Sequence, residues 1–356
     1  MGKTKNTRGG NRMKAVYLTG KKKIEIRDVA KPAIKNDTDV LVKVRSVGIC
    51  GSDIHYYLEG KIGVQVVEKE IILGHEAVGE VLDAGSSVKG VRKGQGVAIE
   101  PGINCGCCEQ CARGKPNLCP HVRFLGTPPV DGALAEYVVM PEANLFPLPE
   151  GMSDNEGLLS EPLAIGLYGV KLGGMSLGDD VAITGAGPIG LSVLFSVKLA
   201  GAGRIFVSDL LSPRLEMARR LGAGRVVLAS EENISDVVRE ETGGRGVDIG
   251  YEAAGKGETF RQSTEVARIG GKSVIYGISA DDRIEFEGSV VRRKELQIIN
   301  VRRSAHMTGL ALELIGKREL PFGDLVTHVF KLEDVEEALN VVAEYRDGVV
   351  KAVVQM

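Results

Sequence analysis

Five of the chain's six cysteines fall between positions 105 and 119, and four of them, Cys105, Cys108, Cys111 and Cys119, have the spacing C-x2-C-x2-C-x7-C. Four thiolates close a tetrahedral shell around Zn²⁺ and leave no position for a substrate, so this lobe is expected to hold a structural zinc. Gly102, Gly106 and Gly114 let the loop wrap the ion, and Cys107 is left over as a free thiol. Crowding of this kind, with no secretion signal in front of it, points to metal rather than to disulfides. A second constellation is dispersed. Gly48-Ile49-Cys50-Gly51-Ser52-Asp53-Ile54-His55 is followed by Gly74-His75-Glu76 and, much later, by Glu161-Pro162. Thiolate, imidazole and carboxylate together suit a zinc that keeps one position open for water or substrate. Taken singly, each has a plainer reading: Cys50 as core, His55 as a surface histidine, Glu76 as the cap of a turn.

A third motif, Gly185-Ala186-Gly187-Pro188-Ile189-Gly190, matches G-x-G-x-x-G. Alone it is weak, but an apolar run precedes it and a helical pattern follows, the context that a dinucleotide site requires. Gly185, Gly187 and Gly190 permit a tight turn and close approach of backbone to a pyrophosphate. Pro188 and Ile189 open a helix whose free N–H groups favour the phosphates. Asp209 ends the next strand. A carboxylate there accepts from a ribose 2′-OH and repels a 2′-phosphate, which predicts NAD rather than NADP. Arg214, in the helix after it, is either an adenine or phosphate contact or a surface charge.

The elements that must position these groups divide the chain in two. Residues 13–150 are rich in short alternating or apolar runs separated by Gly, Asp and Pro, which predicts a β-rich unit. A helix is expected over 156–170. Strands near 181–184, 204–209, 225–228, 247–253, 272–277 and 296–300 then alternate with helices, which implies βαβ units and a parallel sheet. Two helices, near 307–316 and 333–345, and a strand near 349–354 follow, and that strand is expected to rejoin the first unit. The fold class expected is α/β, with a β-rich catalytic domain over 13–155 and 297–356 and a doubly wound parallel sheet over 156–296. Residues 1–12, basic and without acids, are read as a disordered extension or tag.

Composition narrows the function. A length of 356 residues fits two domains better than one. The formal net charge of −2 argues against nucleic acid as a partner. No apolar run is long enough for a transmembrane helix, so no membrane partner is expected and the cytoplasm is the expected location.

The segments GICGSDIH, GHE, the four-cysteine lobe, EPLAIG and GAGPIG occur in the order seen in the zinc-dependent medium-chain alcohol dehydrogenases, and from about Met13 onward the chain resembles that superfamily. It is most similar to the sorbitol (L-iditol) and xylitol dehydrogenase branch, through GSDIHYY, the following Gly60-Lys61-Ile62-Gly63, and Glu161 where other members carry a cysteine. The resemblance implies a GroES-like catalytic domain joined to a Rossmann domain, with two Zn²⁺ per chain and NAD. It implies that Cys50, His75 and Glu76 ligate the catalytic zinc, and that Glu161 does so directly or through water. It further implies that Asp53 orients His75, that Ser52 and His55 relay a proton, and that Tyr56 and Arg302 contact polyol hydroxyls. The expected reaction is hydride transfer from a secondary alcohol of a polyol to NAD, in a homo-oligomer, a tetramer by the same resemblance. One departure is Arg303, where the branch places an aromatic. A second guanidinium there either favours a carboxylate, hence a sugar acid, or faces solvent. Threonine 3-dehydrogenase and 2,3-butanediol dehydrogenase are alternatives on the same scaffold. A non-catalytic NAD-binding structural protein is the alternative of another class.

Overall fold

The computed structural model describes residues 11–280 and 283–356. Most of the expected N-terminal extension, residues 1–10, therefore lies outside the described residues, and Arg12 already belongs to a strand, Arg12–Gly20.

The strand Asp39–Gly48 is apolar on both faces (Val40, Leu41, Val42, Val44, Val47) and is buried along nearly its whole length. Such a strand belongs inside a sheet. It lies within a seven-stranded sheet whose order runs Leu145–Pro147, Gly96–Ile99, Glu76–Ala84, Asp39–Gly48, Lys351–Gln355, Val326–Lys331, with Tyr137–Pro141 also paired to Asp39–Gly48. The late strand Lys351–Gln355 runs antiparallel to it, Val353 opposite Gly48 and Gln355 opposite Ser46. Its neighbour Val326–Lys331 is parallel to it, and the helix Val335–Ala343 makes the crossover between them. A smaller sheet, Lys23–Ala30, Arg12–Gly20, Ile71–Ile72, completes this unit. Val40, Val42, Tyr56, Tyr57, Leu339 and Val354 share one core. Each such side chain contributes about 1.5–3 kcal/mol by leaving water.

The second unit is a six-stranded parallel sheet in the order Arg225–Leu228, Ile205–Asp209, Val181–Thr184, Val247–Glu252, Ala267–Ile275, Gln297–Asn300. The chain order reverses between Val181–Thr184 and Val247–Glu252, the position at which open α/β sheets bind ligands. Two sequence expectations shift. The parallel sheet runs past residue 296, because Gln297–Asn300 pairs with Ala267–Ile275. The helix Thr308–Lys317 also packs on this unit, with Ala311, Leu312 and Ile315 in its core. The return to the first sheet therefore begins at Val326. The helix expected over 156–170 is two helices, Asp154–Leu158 and Ser160–Gly173. Pro162 has no N–H to offer the Leu158 carbonyl, so a continuous helix is interrupted one turn before it. The ladder resumes with Leu163 N–H donating to Leu159 C=O at 3.1 Å. Among the described residues no helix is long and apolar enough to cross a membrane.

Candidate active site

Cys50 lies two residues beyond the strand Asp39–Gly48 and caps the helix Gly51–Glu59. Asp53, three residues into that helix, is fully buried. Its carboxylate accepts from the Cys50 N–H at 2.9 Å and from the Gly74 N–H at 3.1 Å. One side chain thus clamps the two segments that carry Cys50 and His75. Burial pushes the Asp53 carboxyl up, against the opposing pull of His75 and the two N–H groups. The His75 Nδ1 lies 3.7 Å from Asp53, beyond hydrogen-bond reach. Glu76 opens the next strand, Glu76–Ala84.

Cys50, His75 and Glu76 each offer a ligand atom, and all three atoms lie within 4.8 Å of one another. Glu161, in the first turn of Ser160–Gly173, is buried beside them with its Oε2 unpartnered, and His75 Nδ1 is unpartnered too. Burial drives the Cys50 thiol up to about 12, with the Glu76 charge adding to it. Burial also lifts Glu161 well above the carboxylate range, while His75 opposes. Buried polar atoms without partners call for a missing group. A cation among a thiol, an imidazole and two carboxylates relieves every one of these penalties at once, so the residues present fit a zinc ion.

Ser52 and His55 stand three apart on the helix Gly51–Glu59 and so share a face. Ser52 Oγ lies 3.5 Å from His75 Nε2, and the part-exposed His55 has Glu59 at 3.5 Å. Ser52 thus meets the cluster, and His55 reaches solvent. Tyr56 is buried and turned toward Thr127 and Arg303; burial raises its hydroxyl. The two arginines differ. Arg302 is exposed and contributes its carbonyl, which accepts from Asn117 Nδ2 at 2.9 Å. Arg303 turns inward over the Phe124 ring, 4.4 Å from its centroid, and Phe124 in turn lies 5.5 Å from the His75 ring.

The four lobe cysteines come together as their spacing predicts. Cys105, Cys108, Cys111 and Cys119 place their sulfurs within 4.8 Å of one another, and the exposed Cys107 stays outside the cluster. Cys108 caps the single turn Glu109–Ala112, which carries Cys111. The N–H groups of Cys107 and Cys108 hold the Cys105 thiol down at about 6. A closed set of four sulfurs, one already disposed to ionise, fits a tetrahedral zinc.

The glycine loop follows the buried strand Val181–Thr184 and opens the helix Pro188–Leu199, with Gly187 as its cap and Pro188 in its first turn. Gly185 has φ +97°, which favours glycine, and a Cβ on Gly190 would strike the Gly185 carbonyl. Asp209 accepts from the Ala186 N–H at 2.7 Å and from the Leu211 N–H at 2.9 Å, so it is pinned at the rim of the loop. Arg214 points back toward Gly187, stacks on Tyr345 at 5.0 Å and donates to the Val349 carbonyl at 3.4 Å. A glycine turn opening a helix N-terminus beside a carboxylate fits a dinucleotide.

Sequence reasoning missed three members of the site. Lys351, 1 % exposed, donates to Glu76 Oε2 at 2.5 Å and to the Ile49 carbonyl at 3.1 Å. Its signal was a lone lysine between Val350 and Ala352 in an apolar run. Glu100 is half-buried near Glu161 and Arg303, accepts from the Thr308 hydroxyl, and is raised by desolvation. Phe124 separates His75 from Arg303, and nothing in its sequence context marked it.

Residues 36–150 match the family described as the alcohol dehydrogenase GroES-like domain, and residues 188–317 match the zinc-binding dehydrogenase family. The chain is 37% identical over 342 residues to the sorbitol dehydrogenase of Bacillus subtilis strain 168, covering 96% of this chain and 97% of that protein. It is 36% identical over 342 residues to the D-xylulose reductase A of Aspergillus niger, covering 95% of each. A solved structure of an oxidoreductase/dehydrogenase of unknown specificity from Escherichia coli superposes with a TM-score of 0.91 at 34% identity, covering 97% of this chain and 99% of that one.

Proposed function

The chain belongs to the zinc-binding alcohol dehydrogenases with a GroES-like domain, and on that premise we propose that it oxidises a secondary alcohol of a polyol of the sorbitol, L-iditol or xylitol type to a ketose, with NAD as acceptor. The observation that carries this reading is the convergence of Cys50, His75 and Glu76 within 4.8 Å, beside the unpartnered Glu161 carboxylate. Relatives named for sorbitol and D-xylulose support the substrate class.

Cys50, His75 and Glu76 would hold the catalytic zinc, with Glu161 at the remaining position directly or through water. The cysteine lobe would hold a second zinc. When bound, the catalytic zinc supplies positive charge that stabilises a deprotonated hydroxyl, and NAD supplies the hydride acceptor. Ser52 takes the hydroxyl proton, and His55, on the same helix face and half open to solvent, passes it outward. Asp53 keeps the Cys50 and His75 segments in register. Tyr56 and Arg302, expected from the sequence to touch the polyol, differ in setting: Tyr56 is buried and Arg302 is exposed. Asp209 selects the ribose of NAD, and Arg214 stands ready at the phosphate loop. The same reading places the enzyme in the cytoplasm as a homotetramer.

The test is NADH formation from sorbitol, L-iditol, xylitol, threonine and 2,3-butanediol, with and without chelator, alongside a zinc count. Chelator-sensitive turnover of the polyols, abolished by Cys50→Ser with NADH binding retained, is the expected result. Full activity in Cys50→Ser would overturn the metal assignment, and one zinc per chain with no turnover would indicate a non-catalytic protein.

A further inference from the structure

Arg303 is held in an unfavourable state on three counts. Its backbone has φ +57°, in the left-handed region that an L side chain avoids. Its Nη1 is buried without a hydrogen-bond partner. Among the described residues no carboxylate lies within ion-pair distance of its guanidinium. The acid that acts on it, Glu100, accepts from the Thr308 hydroxyl, and the other groups facing the guanidinium are the Tyr56 hydroxyl and the repelling Arg302. Burial lowers the Arg303 guanidinium to about 10, which still leaves it charged at neutral pH. A desolvated, unpaired cation on a strained backbone persists where the surrounding structure enforces it, and such sites cluster where ligands bind.

The enforcement is visible. Asn117 Nδ2 holds the Arg302 carbonyl at 2.9 Å, which fixes the turn that sends residue 303 inward and residue 302 out. The Phe124 ring supports the guanidinium on one face and meets His75 beyond it. One aromatic ring therefore separates the charge from the metal-ligand cluster. On the side of Phe124 away from the metal ligands, none of which lines it, Phe124 and Arg303 border a cavity of about 850 Å³, to which Lys35 and Arg123 contribute two further positive charges against one carboxylate, Asp131, itself engaged by the Ile72 N–H at 3.0 Å.

We infer that Arg303 is a specificity-determining residue that binds an anionic group, a carboxylate or a phosphate, on the substrate's carbon chain away from the hydroxyl that is oxidised. A guanidinium presents two parallel N–H donors matched to either group. The preferred substrate is then a polyhydroxy acid or a polyol phosphate rather than a neutral polyol. This rests on the reading above, that the metal-ligand cluster oxidises a secondary alcohol of a polyhydroxylated chain.

Two measurements on the zinc-loaded full chain test it. In the first, NAD reduction is compared for sorbitol, D-gluconate and sorbitol 6-phosphate in the native protein, Arg303→Gln and Arg303→Lys. The expected result is a higher kcat/KM for one of the anions than for sorbitol. Arg303→Gln should reduce that advantage by roughly 10- to 150-fold, through KM, the range for one charged hydrogen bond. Arg303→Lys, which keeps the charge without the fork, should restore part of it. Whether gluconate or the phosphate ester gains identifies the group recognised. Preference for sorbitol, with ratios unchanged in Arg303→Gln, overturns the inference and leaves the dehydrogenase reading standing. The second measurement is calorimetric binding of the same two anions to the NADH complex, which reads Arg303 without turnover. Binding lost in Arg303→Gln supports the inference even when no substrate is oxidised, in which case the polyol reading fails by itself. Anions that bind equally to both proteins, or to neither, overturn it.

Discussion

Replacing Lys351 by methionine is expected to destabilise the first unit severely, and by an amount that depends on metal. Lys351 and Glu76 are each 1 % exposed and meet at 2.5 Å. Methionine fills most of the lysine volume, so little cavity forms, though the Ile49 carbonyl loses the lysine's hydrogen bond. What remains is the Glu76 carboxylate, buried and without its counter-charge. Breaking a buried pair from one side costs about 3–5 kcal/mol. In a unit of this size that corresponds to a fall in Tm of roughly 6–20 °C. A zinc ion at Cys50, His75 and Glu76 offers the same carboxylate a second positive charge, so the loss should be smaller with zinc saturating than after stripping with a chelator. The double variant Lys351→Met, Glu76→Leu removes both charges and should recover most of the stability, because an apolar pair of similar volume is often neutral or better. Thermal unfolding followed by circular dichroism, on metal-free and zinc-saturated samples of the three proteins, measures all of this. A metal-free single variant that melts with the native protein, or a double variant no more stable than the single one, would refute the reasoning.

Three further outcomes are expected. Asp209→Asn should lower kcat/KM for NAD by roughly 10- to 150-fold, the worth of a charged hydrogen bond, and should narrow the gap to NADP; equal rates with both dinucleotides before and after would show that Asp209 does not select. Gly190→Ala should abolish NADH fluorescence enhancement, since its Cβ meets the Gly185 carbonyl, while the zinc content stays at two per chain by elemental analysis. In zinc-free protein, Cys105 should be the first lobe thiol alkylated by iodoacetamide. Its folded pKa is depressed below that of an unfolded thiol, so the thiolate and the stability tied to it are fully present above the unfolded value and are lost as pH falls through about 6. Mapping by mass spectrometry across that range checks it, and alkylation of Cys105 last, or at a rate flat with pH, would count against the assignment.

What was legible in the sequence follows from how local each signal is. The cysteine lobe and the glycine loop bring their functional atoms together within a few turns of chain, so spacing alone states the geometry. The βαβ series is equally local, and its strands overlap the apolar runs, though the one expected at 272–277 spans Ala267–Ile275. Non-local facts were harder. Lys351 reaches Glu76 across 275 residues, and only the pairing of Val353 with Gly48 makes that contact a consequence of sheet register. The boundary between units was placed too early because Gln297–Asn300 and Thr308–Lys317 carry no mark of which core they serve. The break at Leu159 was available in principle from Pro162, but the apolar helical pattern on both sides outweighed one proline. Arg303 was the least legible: it turns inward at a positive backbone angle, next to a carbonyl held by Asn117, which lies within the cysteine lobe and far away in sequence.

The return of the strand Lys351–Gln355 to the edge of Asp39–Gly48 also has a consequence for biosynthesis. On the ribosome, Glu76 emerges long before the lysine that will neutralise it, and the Gly48 end of Asp39–Gly48 meanwhile lacks its pairing with Lys351–Gln355. At about 5–20 residues per second the interval is roughly 15–60 s. Late in it, once Gln297–Asn300 has emerged, the parallel sheet between these segments is free to form while the unit bearing Cys50 and His75 stays unfinished. Nascent chains halted short of Lys351 should therefore be selectively vulnerable to proteolysis in their first half, and the second unit should be the fragment that survives.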